Sequence, residues 1–286
     1  MMRPRSTTLF VLIALLAVAT VAVAQRGRGR RGDRDRFRVD DDRGGVPMWE
    51  NDPEFAGDVF TFVRIRYGSY GRRGRRWGGR GDWATDYPDS DFNFSFRLQQ
   101  LTSLKVNPNP VILELTDDAL FDYPFIYMIE PGSLEFSEEE VVALRRYLLN
   151  GGFLMVDDFW GDYEYQNFYE QIKRVFHDRE PEELDIDHEI FRCVYRLKEK
   201  PQVPSIHTWG ADQGITWQDG HGGDSRTVHY KQITDDKGRM MVLICHNTDL
   251  GDGWEREGEQ EWYFREYAEK KSYPMGINIV TYAMTH

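Results

Sequence analysis

The stretch 136–161, FSEEEVVALRRYLLNGGFLMVDDFWG, constrains the fold of this 286-residue chain more than any other. Ser137 and Glu140 have the spacing of a capping box, so a helix is predicted to begin here. The glycine pair 151–152 favours a left-handed helix end followed by a turn. The apolar run 153–156 is typical of a strand buried on both faces. A helix that leads into a fully buried strand predicts an α/β domain with a mostly parallel sheet.

The chain beyond residue 49 continues this alternation of strands and helices. The alternating pattern of 59–67 predicts the first strand, and the apolar spacing of 92–104 predicts a helix that ends before NPNP. Further strands are predicted at 111–115, 125–129 and 240–245, further helices at 163–176 and 277–284, and a strand-like VYRL follows Cys193. Residues 200–230 are rich in Pro, Gly and His and predict a long irregular insertion. We therefore expect one α/β domain over 49–286.

The amino-terminal residues predict export. Arg3 and Arg5 precede an apolar run over 9–23, and the Ala-Val-Ala sequence that ends at Ala24 has the pattern of a signal-peptidase site. We expect a signal peptide at 1–24 and a periplasmic or secreted mature protein. No later stretch is apolar enough to predict a transmembrane segment in the mature chain.

Residues 25–48 are rich in Arg, Gly and Asp and predict a disordered arm, because so few apolar side chains cannot offset the entropy of folding. The arm is either a solvated spacer or a contact for polyanions such as lipid headgroups, envelope polysaccharides or acidic proteins. The formal net charge is -12, and from residue 81 onward 39 acidic residues face 19 basic ones. This balance argues against a specific nucleic-acid partner.

Two further sequence features limit the chemistry. The loop 68–83 contains several Arg and Gly residues after the first predicted strand, where α/β folds bind phosphates, but it matches neither G-x-G-x-x-G nor G-K-[ST]. A phosphate site and a plain surface loop both stay open. Cys193 and Cys245 are the two cysteines of the chain, which excludes a disulfide-built scaffold and leaves open one bridge or two separate thiols.

Polar side chains follow the predicted strands at their carboxyl ends, where α/β sheets bind ligands. They are Tyr67, Asp117, Asp118, Glu130, Asp157, Asp158, His246, Asn247, Asp249 and Asp252. Asp157, Asp158 and His246 are the candidates for holding a divalent cation or a hydroxyl-rich ligand, with Asp249 in support, because converging carboxylates recruit hard cations. The alternative is that Asp158 and Asp249 cap the following turns and helices.

Tyr67, Glu130, Trp160, Asn247 and Asp249 are candidates for contacting a ligand in the same region. Trp160 and Trp254 stand among several loop aromatics, and exposed tryptophans beside carboxylates suit stacking on sugar rings. These aromatics equally fit a simple cover over the end of the sheet.

Seven phrases in order resemble the bacterial family catalogued as domain of unknown function 4159. They are FVRIRYG, GDW, YPFIYM, FSEEEVVALRRYLLNGGFLMVDD, HEIFRCVYRL, HNTDLGDGWE and MGINIVTYAMT. The resemblance implies a flavodoxin-like fold similar to that of class I glutamine amidotransferases, with helices on both faces of the sheet, and it implies no established reaction.

The sequence departs from amidotransferases at the nucleophile. Neither cysteine lies in a Gly-x-Cys-x-Gly elbow, and Asp157 and Asp158 follow the buried strand instead. We therefore expect a non-catalytic domain of the cell envelope that binds a carbohydrate, a peptide or a protein partner. The alternative is a metal-assisted hydrolase in which Asp157 or Asp158, with His246, positions a metal-bound water.

Overall fold

The computed structural model describes residues 43–55, 57–69, 82–208 and 210–286. The predicted signal peptide, the arm up to residue 42 and most of the Arg-rich loop lie outside the described residues. Within the described part, no helix is both long enough and apolar enough to cross a membrane. Residues 43–48, the end of the predicted arm, contact the domain, because Arg43 donates to the backbone oxygen of Pro108 at 2.8 Å and lies over the Phe92 ring.

The core of the domain is a seven-stranded sheet. Its strands are β1 (Val63–Ile65), β2 (Val111–Leu113), β3 (Phe125–Ile129), β4 (Phe153–Asp157), β5 (Glu182–Glu183), β6 (His229–Thr234) and β7 (Met240–His246). They lie in the order β2-β1-β3-β4-β7-β6-β5. The first five in this order are parallel, whereas β6 pairs antiparallel with β7 and with β5. The prediction of a mostly parallel α/β sheet is confirmed.

Helices cover both faces of this sheet. They are α1 (Asp89–Leu101), α2 (Glu138–Leu149), α3 (Gly161–Val175), α4 (Leu250–Glu255), α5 (Glu261–Tyr263) and α6 (Tyr273–Thr285), and a π-helical segment, Phe264–Ser272, joins α5 to α6. Side chains of β3 alternate between the two faces. Tyr127 packs on the first face with apolar residues of α1, α4 and α6, and Met128 packs on the second face with those of α2 and α3.

The stretch 136–161 folds as its local pattern predicts. Ser137 Oγ accepts the backbone N–H of Glu140 at 3.2 Å, and Glu140 Oε2 accepts that of Ser137 at 2.8 Å, which completes the capping box. Gly151 has a φ of 109°. A Cβ on Gly152 would lie 2.3 Å from the Tyr147 ring, so this glycine is required by packing. The stretch includes β4, which is the central strand of the sheet.

Two predicted strands differ from the structure. Of the predicted strand 59–67, only Val63–Ile65 is a strand, and Phe60 forms an isolated bridge with Val106. The VYRL sequence is not a strand, because Asn278 of α6 satisfies its backbone: Asn278 Oδ1 accepts the N–H groups of Val194 and Tyr195, and Asn278 Nδ2 donates to Tyr195 O. Side-chain hydrogen bonds here replace those of a neighbouring strand.

The segment 200–228 contains little regular structure, and the two cysteines are not bridged. Among the described residues of 200–228, the regular structure is a single 3₁₀ turn, Ala211–Gln213. Cys245 is buried in β7, whereas Cys193 Sγ donates to Asn278 O at 3.3 Å, and both cysteines are free. The chain therefore has two separate thiols.

Candidate functional site

A cavity of about 330 Å³ lies at the carboxyl ends of the parallel strands. Strand order reverses between β1 and β3, and such switch points are where open α/β sheets bind ligands. The segments after β1, β3, β4 and β7 contribute to its wall, and the insertion closes one side. We call this cavity the acidic pocket; its lining residues include Asp82, Asp86, Glu130, Asp158, Glu164, Asp249 and Asp252.

Three carboxylates converge in the acidic pocket. Asp86 follows β1 through the Arg-rich loop, Asp158 directly follows β4, and Asp249 follows β7. One side-chain oxygen of each lies within 4.8 Å of the others, and all three side chains are buried. We call these residues the carboxylate triad. Because each member comes from a different strand end, the fold itself brings the three together.

Backbone conformation at this end of the sheet is unusual. The residues other than glycine with positive φ in the described part are Asp86, Glu130, Asp158 and Asn247, with values between 48° and 62°. Such conformations persist only where the surrounding structure holds them, and they concentrate at functional sites. The loops that carry the pocket's acidic groups are therefore held in strained conformations that aim their side chains.

Arg64 of β1 fixes the segment that carries Asp86. This side chain is buried, donates to the backbone oxygens of Trp83 at 3.1 Å and Thr85 at 2.9 Å, and pairs with Asp91 at 2.5 Å. The positive charge of Arg64 is thus balanced by Asp91. Asp86 Oδ2 is buried and has no hydrogen-bond partner. An acceptor oxygen has been removed from water without compensation, which is costly unless something else approaches it.

Burial and mutual repulsion both raise the pKa values of the carboxylate triad. Burial is the main cause that raises the pKa of Asp86, Asp158 and Asp249 well above the usual range. Repulsion adds to this effect, because Asp86 raises the pKa of both Asp158 and Asp249. Both effects favour the protonated form of the three carboxyl groups, whereas a bound cation would favour the ionised form.

A second acidic group includes Asp86 and lies next to the positively charged side chain of Arg256. Ligand oxygens of Asp86, Asp252 and Glu255 also lie within 4.8 Å of one another. Arg256 Nε lies 2.6 Å from Glu255 Oε2 and 3.6 Å from Asp252 Oδ1. Burial raises the pKa of Glu255 to about 7 while Arg256 lowers it. The guanidinium thus pairs with two members of this second group, whereas no ion pair among the described residues involves a member of the carboxylate triad.

Asp157 lies beneath the acidic pocket and does not line it. Its Oδ2 accepts the Tyr127 hydroxyl at 3.2 Å and the Gly251 N–H at 3.0 Å, and its Oδ1 is buried without a partner. Burial raises the pKa of Asp157 to about 7. As the last residue of β4, it points to the first face of the sheet.

His246 lies on the second face, away from Asp157. Its ring packs against Phe159 and Tyr165 with centroids 5.0 and 4.9 Å away, and its Nε2 lies 3.0 Å from Gly161 O. Burial lowers the pKa of His246 to about 4, so the ring is neutral at physiological pH. The structure thus brings Asp158 together with Asp249 and Asp86, and it places Asp157 and His246 apart from them on opposite faces.

The remaining candidates have different positions. Glu130 lines the acidic pocket, and Asp249 also caps α4 by accepting the Asp252 N–H at 2.7 Å. The Tyr67 hydroxyl lies 2.7 Å from the backbone oxygen of Ile129 and 2.7 Å from that of Glu130, either of which can accept its hydrogen. Its role is to hold the β3 end. Asp117 and Asp118 lie after β2 and are not among the residues that line the acidic pocket.

Trp160 and Asn247 support the site. Trp160 lines the pocket but is 2% exposed, and its indole N–H donates to Asp158 Oδ1 at 3.0 Å. Trp160 and Trp254 are both buried, so of the two alternatives for these rings the cover over the end of the sheet agrees with the structure. Asn247 Oδ1 accepts the Gly161 N–H, and its Nδ2 donates to backbone oxygens of the insertion. Both residues position the site.

Asp86, Glu164 and His221 line the pocket but were not among the candidates predicted from the sequence. Asp86 follows the long Arg-rich loop, so the rule that ligands lie just past strand ends does not find it. Glu164 of α3 and His221 of the insertion form a pair, with Glu164 Oε1 2.6 Å from His221 Nδ1. The available signal was the polar sequence DYEYQ after β4, which places Glu164 one turn into α3.

Comparison with known proteins assigns the family. A search of curated proteins returned no match. A family model described as Domain of unknown function (DUF4159) matches residues 61–284, which is more than half of the chain and includes every member of the carboxylate triad. The chain belongs to this family, the domain of unknown function DUF4159.

Proposed function

We propose that this protein is a cation-dependent binding domain whose carboxylate triad holds one divalent ion. The observation that carries the proposal is the convergence of Asp86, Asp158 and Asp249 within 4.8 Å in a buried cluster. The buried Oδ2 of Asp86, which has no partner, supports it independently. A bound ion would supply the positive charge that this cluster lacks.

The ligand set favours a hard cation. Carboxylate oxygens are the ligands that Ca²⁺, Mg²⁺ and Mn²⁺ take, whereas the triad offers neither thiolate nor imidazole. Ca²⁺ accepts six to eight oxygen ligands, so three aspartates leave further ligands to come from Glu130 or from a bound molecule. Trp160 would hold Asp158 in place through its indole N–H.

The setting of this domain is proposed from the sequence. The basic and apolar pattern of residues 1–24 supports export to the periplasm or the medium, with an envelope carbohydrate, peptide or protein as partner. The strand order of the parallel part supports a flavodoxin-like fold, because it follows the 2-1-3-4-5 order when parallel strands alone are numbered. Amino-terminal sequencing of the exported protein tests the first point, with Gln25 as the expected first residue.

One observation favours a second candidate, metal-assisted hydrolysis. His221, oriented by Glu164 at 2.6 Å, lines the same pocket as the triad, and a carboxylate-oriented histidine is a common general base. Incubating the cation-loaded protein with envelope glycans and peptides separates the two candidates. Ligands recovered intact support binding alone, and cleavage products that disappear in His221→Ala support hydrolysis.

Calorimetric titration with Ca²⁺, Mg²⁺ and Mn²⁺ tests the cation site. We expect one ion per chain for at least one of these metals, and no binding by Asp86→Asn, which removes the charge while keeping the shape. Asp118→Asn is the matched control, since Asp118 is exposed and lies outside the pocket. Equal titration of all three proteins would show that the triad is not the site.

A further inference from the structure

We infer that the molecule recognised at this cation is a neutral polyol, such as one residue of a carbohydrate, bound through two adjacent hydroxyl groups. This inference rests on the proposed cation site and adds the chemical class of the ligand. It follows from three properties of the acidic pocket: its charge, the hydrogen-bonding character of its wall, and its volume.

The charge of the pocket excludes an anionic ligand. Besides the triad, Asp82, Glu130, Glu164 and Asp252 line the cavity. The two basic side chains in the wall already have acidic partners. Arg256 is shared among Glu255, Asp252 and Glu259, and His221 pairs with Glu164. A phosphate or carboxylate group would meet the bound ion but would be repelled by the carboxylates around it.

The hydrogen-bonding character of the wall requires a ligand that donates. A carboxylate oxygen accepts hydrogen bonds, so the acidic residues that line the cavity, Asp82 and Glu130 among them, favour a ligand that donates. A hard cation needs oxygen lone pairs. A hydroxyl group meets both demands at once, since its oxygen binds the ion while its hydrogen is donated to a carboxylate. A carbonyl lacks the hydrogen, and an ammonium group lacks the lone pair.

The volume and the remaining wall fit one sugar residue. At about 30 Å³ for each water, the cavity of about 330 Å³ has the volume of about eleven waters, which is ample for one sugar residue. Neutral polar side chains complete the wall at Thr85, Ser133, Ser205 and Gln218. Gln218 and Ser205 belong to the insertion, so the segment least regular in structure would contact the ligand directly.

Luminescence of Tb³⁺, which replaces Ca²⁺ at oxygen sites, tests the inference on the full chain. Lifetimes in H₂O and D₂O count the waters bound to the ion. The probes are the methyl α-pyranosides of D-mannose, D-glucose and D-galactose, which present adjacent hydroxyls in different arrangements. We expect at least one of them to remove two waters from bound Tb³⁺. The permethylated glucoside, which keeps the oxygens but has no hydrogen to donate, is expected to remove none.

Two variants localise the effect. Gln218→Ala is expected to weaken the glycoside effect several-fold and to leave Tb³⁺ binding unchanged, whereas Gln166→Ala, an exposed glutamine of α3, is expected to change neither. The inference is overturned if Tb³⁺ binds but none of the three glycosides removes water, or if inorganic phosphate removes it instead. If Tb³⁺ does not bind, the proposed cation site fails and the inference fails with it.

Discussion

A carboxylate oxygen of Asp158 and one of Asp249 lie within 4.8 Å of each other, although the two residues follow different strands. The third member of the carboxylate triad, Asp86, is also acidic. Asp158 takes a left-handed conformation with φ 56° and donates its backbone N–H to Thr248 O at 3.2 Å, which ties the two strand ends together. The fold therefore holds these two carboxylates close together. Binding of a cation or substitution of one of them should change the free energy of unfolding.

Asp249→Asn is expected to change stability in opposite directions with and without a cation. Without a cation at about pH 8, loss of one buried like charge should raise the free energy of unfolding by about 1 kcal/mol, and Asn still caps α4. At a cation concentration of about 100 Kd, the wild type should gain about 2.7 kcal/mol and the variant none. Urea unfolding without and with the cation measures the two free-energy differences, with Asp118→Asn as control. A cation gain equal in the two variants would rule out Asp249 as a ligand.

Cation binding is expected to release protons. Because burial and repulsion raise the pKa of all three triad carboxyls, a cation that binds their ionised forms must displace protons. Affinity should be at least about tenfold weaker at about pH 6 than at about pH 8. Calorimetry in two buffers of different ionisation enthalpy counts the protons, and we expect at least one for each ion. A release of zero would contradict the raised pKa values.

Asp157→Asn is expected to stabilise the protein at alkaline pH. The pKa of Asp157 rises from 3.8 to about 7 on folding, so between these values the folded state holds a proton that the unfolded state has released. The free energy of unfolding therefore falls as pH rises from about 4 to about 7. Asn needs no proton: its oxygen can accept from Tyr127 and Gly251, and its amide can take the place of the unpartnered Oδ1.

The measurement for this variant is urea unfolding as a function of pH. Asp157→Asn should exceed the wild type in unfolding free energy by a few kcal/mol at about pH 8, and the difference should shrink towards zero at about pH 4. A difference that does not depend on pH would show that the effect comes from packing alone.

Arg64→Met is expected to destabilise the protein by about 3–5 kcal/mol, because it leaves Asp91 charged, buried and unpaired. The double variant Arg64→Met with Asp91→Leu should recover part of this loss, since no buried charge is then left alone. Chemical unfolding of the three proteins gives the comparison. If the single variant loses under about 1 kcal/mol, Arg64 does not hold the segment that carries Asp86.

Local patterns predicted the centre of the fold well. The capping box of Ser137 and Glu140 and the buried strand after Gly152 depend on neighbours in sequence, and both are present. The VYRL segment has β-forming residues, but Asn278, more than eighty residues away, provides its hydrogen bonds. That contact leaves no trace in the local pattern.

The candidate site was predictable only where its residues lie next to a predicted strand in the sequence. Asp158 and Asp249 were found because they directly follow strands whose carboxyl ends share one edge. Asp157 and His246 also end their strands, but the alternation of side chains sends them to opposite faces of the sheet, and the register that decides this depends on tertiary structure. Asp86 reaches the site across a long loop, which a strand-end rule does not follow.

The most direct test of the cation site is anomalous diffraction from a crystal grown with Mn²⁺. We predict one strong anomalous peak, about 2.2 Å from carboxylate oxygens of Asp86, Asp158 and Asp249, and its absence in crystals of Asp86→Asn. A peak held by Asp157 or His246 instead, or no peak in the acidic pocket of crystals whose solution binds Mn²⁺, would contradict the assignment of the site to the carboxylate triad.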